Sequence, residues 1–254
     1  MFKVVHVILN VRCDMKKKVW IIVAIITAIV VGIFVVWLGF GVSKDAKQEE
    51  LLINEVDKIN ELAQDEELNL RAINEILDSR VAEKEYLKVE NAIKGYLKEG
   101  YQVISNIYNI STDSRVANLL TAQNYQEDGP DFVSTKAFLA DTIEQLKQEQ
   151  ENFAQFFNED RAMAYINEQD VDQYYIDFYR NQLLGDVDEL NDDNEFNEAM
   201  NQLLNVLEIS QEILDFLSSN KGTWTIENEQ IVFNSQSLTN SYNDYLTRLT
   251  EAAE

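Results

Sequence analysis

The sequence predicts an all-α protein: an N-terminal single transmembrane helix followed by an extracytoplasmic helical bundle or coiled-coil domain, with one small β-hairpin near the C-terminus. Three observations predict it. Residues 19–43 form a long apolar run without a charge. The remainder repeats apolar residues at alternating three- and four-residue steps, the period of a helix face. A single proline, Pro130, and eight glycines leave little to interrupt helices and few tight turns.

The apolar run, VWIIVAIITAIVVGIFVVWLGFGVS from Val19 to Ser43, would span about 37 Å as a helix, more than the roughly 30 Å of a hydrocarbon core. Trp20 and Trp37 stand near its ends, at the headgroup level indoles favour. Lys16, Lys17 and Lys18 abut its N-terminal end with Arg12 and Lys3 behind them, whereas Lys44 and Lys47 on the other flank are diluted by Asp45, Glu49 and Glu50. This asymmetry puts residues 1–18 in the cytoplasm, as a short basic tail, and residues 44–254 outside it. Gly41-Val42-Ser43 resembles a signal-peptide cleavage site, but the run is longer than the 7–15 residues typical of one, so an uncleaved signal-anchor is expected. Met15 followed by three lysines reads as a natural bacterial start, with Met1 the alternative. Ala24, Ala28 and Gly32 form a small-residue stripe of the kind that lets two spans approach, although such residues are common in spans.

Beyond the anchor, Leu52, Val56, Ile59, Ala63, Leu70, Ile73 and Leu77 trace a heptad seam that only Glu66 interrupts, suited to a coiled coil or to one stripe of a bundle. The phase changes at Asp78-Ser79-Arg80, and a second stripe follows through Val89, Ile93, Tyr96, Gly100, Val103, Ile107 and Ile110. Ser111-Thr112-Asp113 reads as a stop and an N-cap for a helix over 114–123, with a loop over Asn124–Asp131 around Gly129-Pro130. Helix resumes from Phe132 through Phe138, Leu139, Ile143, Leu146, Phe153 and Phe156, with breaks at Asn158–Asp160 and Asn167–Asp170. Val171, Tyr175 and Phe178 mark a short helix ending near Gly185, and Asp186–Glu195 is an acidic loop. Phe196, Met200, Leu203, Leu207, Leu214 and Leu217 form a last strong stripe. Between about 223 and 233, TWTIENEQIVF predicts a hairpin turning at Asn228-Glu229, pairing Ile226 with Ile231 and Trp224 with Phe233 on one face. Leu238, Tyr242, Tyr245 and Leu249 close the chain as a helix.

Charge narrows the functions. Residues 1–44 carry six Lys/Arg and one acid; residues 45–254 carry 15 Lys/Arg and 44 acids. A domain so acidic is repelled by phosphate backbones, so nucleic acid is not an expected partner. The only cysteine, Cys13, and the only histidine, His6, precede the apolar run. The exported part therefore cannot form a disulfide, a usual structural zinc site, a Cys–His pair or a Ser–His–Asp triad. Carboxylates are its one abundant catalytic-grade group, but with 44 of them pairs arise at every spacing and none sits in a motif. Asp186, Asp188, Asp192, Asp193 and Glu195 offer oxygens to a cation, yet Leu190 and Asn191 stand where an EF-hand needs a ligand and a glycine. Tyr174, Tyr175, Phe178 and Tyr179 form an aromatic cluster, read as core before sugar platform.

These readings converge on a membrane-anchored interaction or scaffolding module of a bacterial cell envelope, with no catalytic, cofactor or metal residues assigned. Its expected partners are membrane lipid through the anchor and another envelope protein, with a monomeric ectodomain favoured over a self-associating one. The alternative is a sensory or ligand-binding ectodomain acting through a partner membrane protein. A carboxylate-dependent envelope hydrolase ranks third.

Overall fold

The computed structural model describes residues 45–64, 69–184 and 194–253. Tail 1–18, apolar run 19–43 and most of the acidic loop 186–195 lie outside these, and so do Met15 and the Ala24–Ala28–Gly32 stripe. Among the described residues no helix is long and apolar enough to cross a membrane. Helices take up 78% of the structure, so the small antiparallel hairpin near the C-terminus sits in an otherwise helical bundle.

The chain forms two compact units, each discontinuous in sequence. The first draws on residues 45–106 and 149–197, the second on 107–148 and 198–253. In the first, α1 (Ala46–Gln64) and α2 (Leu70–Leu77) lie against each other. The predicted seam is thus not one helix of 25 residues. Asp65-Glu66-Glu67 offers it no apolar residue, and Asn69 starts a new helix by accepting a bond from Ala72 N at 3.1 Å. Ser79, just past α2, reaches Glu55 in the middle of α1 at 2.9 Å, so the chain has doubled back. Leu52, Val56, Ile59, Ile73 and Leu77 are all buried, covered from within the chain.

The phase change at 78–80 is a connector, residues 78–84, leading into α3 (Glu85–Thr112). The predicted α3 stripe is buried from Val89 to Ile107, and Ala92, Leu97, Tyr101 and Ile104 are buried beside it, so α3 is covered on more than one side. At Gly100 a Cβ would sit 2.8 Å from the Phe156 ring and 3.1 Å from that of Phe157. Only the missing side chain lets these aromatics approach the helix. Tyr96 stacks on Phe156 at 4.7 Å, and Phe153 stacks on Phe196 at 3.7 Å, closing an aromatic layer worth more than its area alone.

The second unit begins within the last turns of α3, at Ile107. Asp113 accepts from Arg115 N at 2.8 Å and caps α4 (Ser114–Asn118). The helix expected over 114–123 is two helices: Thr121 Oγ1 accepts from Asn124 N at 3.2 Å and starts α5 (Ala122–Glu127). The expected loop 124–131 correspondingly shrinks to residues 128–132, around a cis Gly129–Pro130 bond. Asp128 accepts from Thr135 N at 2.7 Å and Ser134 N at 3.3 Å, holding the start of α6 (Val133–Phe156). Past residue 148 the chain returns to the first unit, where Asn158 caps α7 (Glu159–Asn167) through Arg161 N, and α8 (Gln173–Phe178) runs into a π-helical segment, Tyr179–Leu184. The six predicted stripe residues of α9 (Asn194–Ser219) are buried, as are Leu204, Val206, Ile209 and Ile213.

Strands β1 (Trp224–Glu227) and β2 (Gln230–Phe233) pair in the predicted register, Trp224 with Phe233 and Ile226 with Ile231. Asn228 and Glu229 both have positive φ, 50° and 61°, as a primed two-residue turn demands. Trp224 Nε1 donates to Leu217 O at 2.8 Å, and its ring stacks on Phe132. A lone hairpin is barely stable in water, and these contacts are what hold it. Burial departs from simple alternation, because Val232 is buried together with Ile231 and Phe233. The closing helix α10 (Gln236–Ala252) buries Tyr242, Leu246 and Leu249.

Candidate functional site

Three segments of the first unit bring a group of ionisable side chains out of water. Glu90 and Lys94 are one turn apart on α3, Glu55 comes from the middle of α1, and Ser79 from the connector. Lys94 Nζ lies 2.8 Å from Glu90 Oε1 and 3.0 Å from Glu55 Oε2, and it also donates to Ser79 O at 3.2 Å and Ser79 Oγ at 3.0 Å. Its side chain is 8% exposed and that of Glu90 only 1%. The remaining capacity of Glu90 is taken by the backbone, with Val81 N at 3.0 Å and Ala82 N at 3.0 Å. Lys58 stands 3.7 Å from the second oxygen of Glu55. Burial alone would push the Glu55 carboxyl up, but hydrogen bonds from Lys94 and Ser79 and the Lys94 charge outweigh it and hold the group below the ordinary carboxylate range.

A general acid or base has to present a lone pair or proton to a substrate. Here the backbone and one ammonium group occupy the carboxylates, and the arrangement pins the connector between α1 and α3. The chemistry it performs is fastening. A second fastening lies at the start of α1, where Glu49 Oε1 accepts from Tyr86 OH at 2.6 Å and from Tyr174 OH. Burial first, then the bond to Glu49, pushes the Tyr86 phenol well above its usual range. A third, more exposed one joins Glu99 to Arg161 at 2.9 Å and to Tyr165, whose phenol burial and Glu99 push up to about 12.

The aromatic cluster singled out in the sequence belongs to the core. Tyr175 and Phe178 meet Tyr86 edge-on at 5.1 and 5.9 Å, and Tyr179 is buried with its hydroxyl donating to Ala162 O at 2.9 Å. Tyr174 is the member turned to Glu49. The cation-binding candidates Asp186, Asp188, Asp192 and Asp193 lie outside the described residues, as does the side chain of Glu195; among the described residues no group of acids could hold a metal ion. Sequence reasoning missed Glu90 and Lys94. Their i,i+4 spacing with the acid first was a visible signal of a helix ion pair, but such pairs usually face water.

No protein-family model, curated protein or solved structure matches the chain.

Proposed function

We propose that this protein is a membrane-anchored, extracytoplasmic interaction or scaffolding module of the cell envelope, acting without catalysis. The observation that carries the reading is the uncharged run 19–43 with lysines crowded on its N-terminal side. Two structural features support it. The seam residues of α1 and α2 are buried within one chain, which favours a monomeric ectodomain, and the buried carboxylates are engaged in holding the fold. Among the described residues, ion pairs engage twelve of the 15 Lys/Arg of residues 45–254, so the surplus of acids dominates the exposed surface. A protein partner with a basic face suits that surface.

The test is topology first, partner second. A reporter fused after Glu254 is expected to be active only if it works outside the cytoplasm; activity of a cytoplasm-only reporter there would overturn the reading. Co-purification from native membranes in gentle detergent then identifies the envelope protein it holds.

A further inference from the structure

The two strands of the hairpin have different surroundings. Strand β2 is covered: Ile231, Val232 and Phe233 are buried, and the Phe233 ring lies against Phe216 and against Tyr242 of α10. Strand β1 is open, with Thr225 exposed and Trp224, Ile226 and Glu227 half-buried. The ladder decides which backbone groups β1 leaves over. Asn234 N donates to Thr223 O at 2.9 Å, so bonded and non-bonded pairs alternate from there to the turn. Thr225 and Glu227 bond towards β2. The N–H and C=O groups of Trp224 and Ile226 point the other way, and no described strand pairs with them.

This edge is fixed and unguarded. Trp224 holds it through Leu217 O and the Phe132 ring, so a strand added there meets an ordered template. It has neither lysine, proline nor bulge, the usual devices that keep other strands off. Glu227 and Glu229 are the only charges on the hairpin, and no Lys or Arg occurs between Lys221 and Arg248. From these features we infer that a partner docks by strand addition. An extended segment of a basic protein pairs antiparallel with β1, its backbone bonding Trp224 and Ile226 and its Lys/Arg side chains meeting Glu227 and Glu229. The inference rests on the reading of a basic protein partner and deepens it, giving that partner a place and a mode. A second copy of the chain would bring like charges together at the same edge.

The probe is an acetylated, amidated heptapeptide alternating lysine and valine, added to the full chain in mild detergent at low salt. Residue-resolved hydrogen exchange should slow at least fivefold at the Trp224 and Ile226 amides and stay unchanged at Thr225, already bonded within the hairpin. In an antiparallel pair the valines stand opposite Trp224 and Ile226, so N-methylating the valines should abolish this protection and N-methylating the lysines should leave it. Glu227→Lys with Glu229→Lys should weaken the lysine peptide at least fivefold and admit its glutamate counterpart. Protection confined to other parts of the chain, or equal effects of the two methylated sets, refutes strand addition. So does protection of Trp224 and Ile226 that rises with protein concentration without peptide, which makes a second copy the occupant. Failure of the peptide while a basic protein co-purifies from native membranes refutes the inference alone; co-purification of only acidic or neutral proteins refutes the reading beneath it.

Discussion

Replacing Lys94 with methionine keeps most of its volume and removes the one cation shared by two buried carboxylates. Breaking a buried pair by deleting one partner costs about 3–5 kcal/mol, because the charge left behind has lost its compensation. The structure argues for the lower end, about 3 kcal/mol. Glu90 would keep its bonds from Val81 N and Ala82 N, and Glu55 would keep Ser79 and the more distant Lys58. The pH dependence carries a sign. In the native protein the Glu55 carboxyl is held below its ordinary value, so its contribution is present above about pH 4.3 and lost as pH falls through the depressed folded value. Without Lys94, burial dominates and raises the folded value, so the penalty is largest near neutrality and shrinks on acidification towards about pH 4. Glu90→Gln added to Lys94→Met should restore part of the loss, since an amide oxygen can still accept from the two backbone groups while the unpaired charge is gone. Urea unfolding of the full chain in mild detergent, followed by circular dichroism with hydrogen exchange on α3, measures all three. A loss below about 1 kcal/mol at pH 7, the range of an exposed ion pair, or one that grows on acidification, would refute the reasoning.

Gly100→Ala places a Cβ 2.8 Å from the Phe156 ring, and overpacking of about 1–3 kcal/mol should exceed the helix-propensity gain of about 1 kcal/mol, giving a net drop in melting temperature. Glu229→Gly relieves a side chain held at φ 61° and should stabilise the hairpin by about 1 kcal/mol, read as a rise in melting temperature. Asp113→Ala removes the α4 cap and should cost about 1 kcal/mol in urea unfolding at neutral pH. Because the hydrogen bond from Arg115 holds the Asp113 carboxyl below its ordinary range, that cost should be complete above about pH 3.9 and vanish in stronger acid.

What could be read in advance depended on how local the determining physics was. The hairpin register followed from two residues, since a turn at Asn228-Glu229 leaves only one pairing for Trp224 and Ile226. The α3 and α9 stripes followed from period alone, although their full width did not, because periodicity reveals one face and says nothing of a helix covered from several sides. The break between α1 and α2 was hidden by a seam whose spacing continues across it, and Asn69 outweighed that spacing. Thr121 was overlooked beside the stronger signal of Gly129-Pro130. The Lys94 group was least legible: an ion pair on a helix is ordinarily solvated, and its burial required Glu55, 39 positions away, and Ser79 to arrive at the same place.

The discontinuity of the two units bears on the order in which the chain can acquire them. Residues 107–148 emerge from synthesis before 198–253, which complete their unit, exist. Residues 45–106 likewise wait for 149–197. Neither unit can close on a growing chain from a contiguous stretch. A chain of this layout has a long interval in which half-built cores are exposed, and its surplus negative charge keeps neighbouring copies apart. It also means that no single cut in the sequence yields either unit whole.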